Sequence, residues 1–134
     1  MIFFINTNLK DKVYFILSKN ENEKTFYKEY VCNFLNSQDI LSFLEDFIIY
    51  TKTEKEIFFK NIDAIVIDNG PGINMNFRIG IIVVNSLAYL YSKNIIGILK
   101  SEHNESIEDF IKIGWEKFNK KEFTKLIVPE YTVK

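Results

Sequence analysis

Asp68-Asn69-Gly70-Pro71-Gly72-Ile73-Asn74-Met75-Asn76-Phe77-Arg78-Ile79-Gly80 is the stretch whose reading decides the fold. It holds three of the five glycines, one of the two prolines and the only arginine of the chain. Ahead of it, residues 62–67 form a near-continuous apolar run with Asp63 as the one polar member. Such a run suits a strand covered on both faces, in a parallel or mixed sheet under helices. Behind it, residues 77–93 carry apolar side chains at helical spacing, and residues 94–99 give another buried strand.

Working outward, residues 2–5 and 13–17 are short apolar runs around polar turns, and they predict a hairpin. Residues 25–32, rich in aromatic and β-branched side chains, predict a third strand. Asn36-Ser37-Gln38-Asp39 supplies a helix start: Asn36 or Ser37 can cap the free amides, and Asp39 sits well in the positive first turn. Ile40, Leu41, Phe43, Leu44, Phe47 and Ile48 then make the apolar side of a first helix. Residues 106–118 predict a third helix through Ile107, Phe110, Ile111 and Trp115, with Gly114 weakening it slightly. Residues 126–128 read as a last short strand before Pro129-Glu130-Tyr131. The expected class is α/β, a mixed β-sheet covered by helices.

Composition narrows the function classes. At 134 residues the chain is one domain, or one domain and a remnant, and folding hides about two-thirds of its unfolded surface. Hydrophobic content of 47% with 13 Phe argues against disorder. A formal charge of −1 offers no basic face for direct nucleic-acid binding. A lone Cys32 excludes a disulfide framework and a cysteine metal cluster, and points to a reducing, cytoplasmic home. The apolar start at residues 1–5 is too short for a signal peptide, and no apolar run reaches membrane-spanning length.

Two features ask for an explanation. On the helix of residues 77–93, Ile82 and Tyr89 form a second apolar sector, separate from the main stripe and two turns apart on one face. Asn85 and Ser86 lie beside that sector, with Arg78 on the same side as Asn85. Either the first helix or a partner chain covers it. The loop, in turn, is either a phosphate cradle at a helix N-terminus or a strand-to-helix turn that uses Gly for positive φ and Pro for rigidity. It matches neither of the usual glycine-rich phosphate patterns. With one His and one Cys, no nucleophile–base pairing is readable, and His103 in Glu102-His103-Asn104 reads as a loop or helix-start residue. Neither catalytic nor metal-ligating residues are predicted.

Gly70-Pro71-Gly72 and Arg78-Ile79-Gly80 stand at the spacing of the Gly-Pro-Gly-Ser-Phe-Thr-Gly-x-Arg-Ile-Gly loop of the TsaB (YeaZ) family, which the chain resembles. Asn36-Ser37-Gln38, Ser86-Leu87-Ala88 and Pro129-Glu130-Tyr131 resemble further family features in the family's order. The resemblance implies one lobe of the actin/Hsp70/sugar-kinase-like (ASKHA, ribonuclease H-like) fold over residues 1–100. Residues 101–134 would be the remnant of a second lobe. It implies a non-catalytic dimerization subunit in N6-threonylcarbamoyladenosine tRNA modification, a heterodimer with the catalytic TsaD that also helps recruit the ATPase TsaE. Contact with tRNA would be indirect, and no membrane is involved. Gly70, Pro71, Gly72, Asn76, Arg78 and Gly80 then become the loop and helix anchors, and Ile82, Asn85, Ser86 and Tyr89 the partner face.

Departures from the family pattern concentrate in the loop. Ile73, Asn74, Met75 and Asn76 replace Ser, Phe, Thr and Gly, removing two hydroxyls that can contact phosphate. Asn76 is a sensible stand-in for glycine, because Asn tolerates left-handed backbone. Asn6-Thr7 stands where the superfamily has Asp-Thr, so the carboxylate of a Mg-nucleotide site is lacking. No cofactor is therefore assigned to this chain, with ATP or ADP at a subunit interface left open. Two alternatives remain beside the scaffold: a nucleotide-binding ASKHA-type enzyme, and a relative that forms a homodimer without TsaD.

Overall fold

The computed structural model describes residues 1–32 and 40–130. The hairpin β1 (Ile2–Asn6) and β2 (Lys12–Ser18) leads into β3 (Phe26–Val31). Helices α1 (Ile40–Tyr50) and α2 (Lys55–Asn61) follow, then β4 (Ala64–Asp68), α3 (Met75–Tyr91) and β5 (Asn94–Ile98). A single turn, α4 (Lys100–His103), precedes α5 (Ile107–Asn119). The five strands make one mixed sheet in the order β3-β2-β1-β4-β5, antiparallel across the first three and parallel from β1 to β5. The α/β class with a helix-covered mixed sheet is thus the observed one.

Strand alternation sorts the apolar residues into two layers. Phe3, Ile5, Phe15, Ile65 and Ile67 face α1, α2 and α3, while Ile2, Phe4, Ile16, Val66 and Ile96 face α5. Phe3 is the hub of the first layer. It stacks on Phe15 and Phe47 and meets Phe58 and Phe59 edge-on, the two arrangements that aromatic quadrupoles favour. Lys28 and Tyr30 of β3 both reach Asp46 of α1, at 2.8 and 2.6 Å, tying the edge strand to the helix layer. The hydrogen bond from Lys28, then that from Tyr30, holds the Asp46 carboxyl below the usual carboxylate range.

Several expectations need correction. Lys55–Asn61 is a helix, absent from the sequence reading, and it takes Ile62 as its C-cap, so the strand begins at Ala64. Helix α3 starts two residues before Phe77 because the Asn74 side chain caps it, accepting from Phe77 N at 2.7 Å. Residues 126–128 are not a strand: among the described residues the pairing near them is a single bridge between Thr124 and Ile95. The predicted caps Asn36, Ser37 and Asp39, and Tyr131 of the tail, lie outside the described residues. Among the described residues no helix is long and apolar enough to cross a membrane.

Candidate functional site

Open α/β sheets offer ligands the carboxyl ends of their strands, where neighbouring connections diverge. Here β1 leaves toward the hairpin while the parallel β4 leaves toward α3, and a buried polar knot fills the space between them. At its centre is Asp68, the last residue of β4, with no exposure. Its Oδ1 accepts from Asn8 Nδ2 at 3.0 Å and from Gly70 N at 2.9 Å. Its Oδ2 meets His103 Nε2 at 2.5 Å. His103 Nδ1 in turn accepts from Glu105 N at 3.2 Å, which places the ring proton on Nε2 and makes it the donor to Asp68.

That geometry decides what His103 can do. Both ring nitrogens are engaged, the residue has no exposure, and its ring lies against Phe110. With no free lone pair, it positions α4 and offers no base to a substrate. The expectation of a loop or helix-start residue is corrected: His103 ends α4 and is core. Asn6 is likewise committed, accepting from Asn8 N at 2.9 Å and donating to Tyr14 Oη at 3.3 Å. Burial pushes the Tyr14 hydroxyl above the usual tyrosine range, against the opposing pull of the Asn6 hydrogen bond.

The glycine-proline loop wraps this knot. Gly70, at φ +116°, carries backbone that side-chain residues rarely adopt, and the Glu130 carbonyl sits where a Cβ would point. Gly80 serves a different need, since a Cβ there would overlap Thr7 Oγ1, so α3 can approach the β1–β2 turn only as glycine. Asn76 is not left-handed; it lies inside α3, buried, and the expectation of a glycine-like backbone there is corrected. Arg78 stands on the exposed side of the first turn of α3. Lys100 N donates to Gly70 O at 2.7 Å, joining α4 to the loop. An open cleft of about 330 Å³ lies outside, bounded by Asn8, Lys10, Gly72, Asn74 and Lys100.

The outward face of α3 is the second candidate. Ile82 is 64% exposed and Tyr89 88%, so neither α1 nor the sheet covers that sector. Ser86 between them is exposed and returns its hydroxyl to Ile82 O. Asn85 turns aside: its amide accepts from Ile127 N at 2.7 Å and donates to Ile127 O at 3.0 Å. On neighbouring α1, Leu41 and Ile49 are also exposed, two turns apart.

Sequence reasoning missed Asp68, Asn8, Lys100 and the role of His103. A carboxylate closing an otherwise apolar strand, just before a glycine, was the available signal for Asp68, since a buried charge needs partners. Among the described residues no three His, Cys, Asp or Glu side chains converge to hold a metal.

Several solved structures are similar to this chain, two of which illustrate the match. YeaZ from Pseudomonas aeruginosa aligns at 19% identity with a TM-score of 0.57, covering 78% of this chain and 48% of that one. An uncharacterized protein with similarity to peptidase YeaZ from Pseudomonas aeruginosa aligns with a TM-score of 0.59, at the same identity and coverage. The chain therefore spans about half the length of either structure, with the fold of one YeaZ lobe. No family model and no curated protein matches the sequence.

Proposed function

We propose that this chain is a scaffold subunit of the TsaB/YeaZ kind. It pairs with a TsaD-like catalytic subunit through the outer face of α3 and supports threonylcarbamoyl modification of tRNA without contributing a catalytic group. One observation carries the reading. A helix already packed on its sheet through Phe77, Ile81, Val84 and Leu87 still presents Ile82 and Tyr89 to solvent. Apolar side chains on a rigid helix face are the form of an interface anchor. Leu41 and Ile49 of α1 extend the apolar character of that helix layer.

The polar knot supports the same reading from the other side. Asn6, Asp68 and His103 all spend their polar atoms within the chain, leaving no carboxylate or imidazole facing the cleft from that knot. A nucleotide, ATP or ADP, would then meet this chain only at a subunit interface, with Lys10 of the cleft toward its phosphates, since Lys100 is already paired with Glu105 at 3.3 Å. Recruitment of TsaE and approach to tRNA pass through the assembly. In isolation the same apolar face pairs with itself as a homodimer. Reconstitution tests the proposal: the chain added to purified TsaD and its other partners restores threonylcarbamoyladenosine formation. A chain that binds and turns over ATP alone, and adds nothing to TsaD, would overturn it.

A further inference from the structure

Beyond α5 the chain turns at Lys121, with φ 57°, and from Thr124 to Glu130 its backbone bonds the body at three residues. Thr124 exchanges both backbone hydrogen bonds with Ile95 of β5, at 2.8 and 2.9 Å. Ile127 exchanges both of its backbone groups with the Asn85 amide of α3. Glu130 donates to Asn69 O at 2.9 Å and accepts from Gly72 N at 3.0 Å. The anchors recur every third residue, the period of an extended threefold ribbon, and not at the twofold alternation of a strand. That period is why residues 126–128 make no ladder.

We propose that residues 124–130 are a strap that opens and closes as one unit and, when closed, locks the Gly70-Pro71-Gly72 loop to the sheet edge. Three observations converge on it. Each anchor is bidentate and belongs to a different element, so the strap bridges β5, α3 and the loop. Only Ile127 among its apolar side chains is buried, in space left open at Gly97, where a Cβ would come within 2.9 Å of Ile127 Cδ1. Leu126 and Val128 face solvent, so little apolar burial opposes release. Segments held by hydrogen bonds with few buried apolar contacts open well below the global unfolding threshold.

Opening has a defined consequence for the cleft. Gly72 N and Asn69 O lose their partners together, and the Glu130 carbonyl lifts from Gly70, which keeps its bonds to Asp68 and Lys100 but loses its cover from the strap side. Because Gly72 lines the cleft, whatever fixes the loop from that side also favours the closed strap, by reciprocal linkage. The inference stands independently of what pairs with α3.

Native-state hydrogen exchange on the whole chain is the test. The amides of Gly72, Ile95, Thr124, Ile127 and Glu130 are expected to share one opening equilibrium, with a smaller denaturant slope than Val66 in β4. Asn85→Ala removes only the middle anchor, yet it is expected to accelerate all five by a common factor on the order of tenfold. Acceleration of Ile127 alone would show three independent contacts and overturn the proposal. So would five wild-type amides that exchange only with the steep denaturant slope of Val66. Should Asn85→Ala fail to fold, the wild-type slopes decide alone.

Discussion

Replacing Asp68 by alanine strikes the buried knot at its centre, and the structure sets the size of the effect. Three donors lose their acceptor: Asn8 Nδ2, Gly70 N and His103 Nε2, at a position with no exposure. Each buried donor left unsatisfied costs about 1–3 kcal/mol, which for three sums to about 3–9 kcal/mol before any relaxation. Removing one partner of a buried ionic or hydrogen-bonded pair costs about 3–5 kcal/mol, and that lower figure governs because the side chains of Asn8 and His103 can shift. Against a total stability of about 5–15 kcal/mol the variant folds with little to spare. With a urea slope of about 1–3 kcal/mol per molar, the unfolding midpoint falls by roughly 2 M. Asp68→Asn separates geometry from charge. It can keep an acceptor for Asn8 and Gly70 and turn only its NH2 against the His103 proton, so it loses about 1–3 kcal/mol. Urea unfolding followed by tryptophan fluorescence reads both variants. An alanine variant less perturbed than the asparagine one, or within about 0.5 M of the wild-type midpoint at such slopes, would refute the assignment of the knot.

Three further outcomes follow from particular contacts. Gly80→Ala adds a favourable helix residue yet is expected to destabilise by about 1–3 kcal/mol through overlap with Thr7. Adding Thr7→Ala should recover the greater part, because Thr7 Oγ1 has no hydrogen-bond partner among the described residues to lose; thermal unfolding of the two single variants and the double variant measures the coupling. Tyr14, Tyr27 and Tyr30 are all pushed above the usual tyrosine range, in each case first by burial. Since a raised folded-state pKa favours the protonated form, stability is intact below about pH 10, where the unfolded hydroxyls also keep their protons, and falls as pH rises further. Ultraviolet titration should show Tyr14, Tyr27 and Tyr30 ionising above the usual tyrosine range, with the protein unfolding as they do.

The legible part of the fold was the part written in short-range pattern. Short apolar runs at residues 2–5 and 13–17 around a polar turn marked the hairpin, and the apolar run before the loop marked β4, because a strand covered on both faces has no polar side to show. Helix α2 escaped because seven residues hold too few turns for a 3.6-residue period to stand out. The site was less legible for a different reason. Asp68 and His103 are 35 residues apart and meet only because β4 and β5 lie side by side in the sheet. A strap with a three-residue period carries no strand or helix signature either. The α3 face was visible as a second apolar sector, but only the packed structure shows that α1 leaves it uncovered.

Pairing through that face is the claim on which the functional account rests. Its most direct measurement is size-exclusion chromatography with light scattering of the chain mixed with its TsaD-like partner, as wild type and as Ile82→Asp. The wild type is expected to form a one-to-one complex. A charge at an exposed position leaves the fold intact by circular dichroism, but costs about 2 kcal/mol or more of binding at an interface anchor, roughly a thirtyfold loss. A wild-type chain that ignores the partner, or an Ile82→Asp variant that binds as tightly as wild type, would contradict the account.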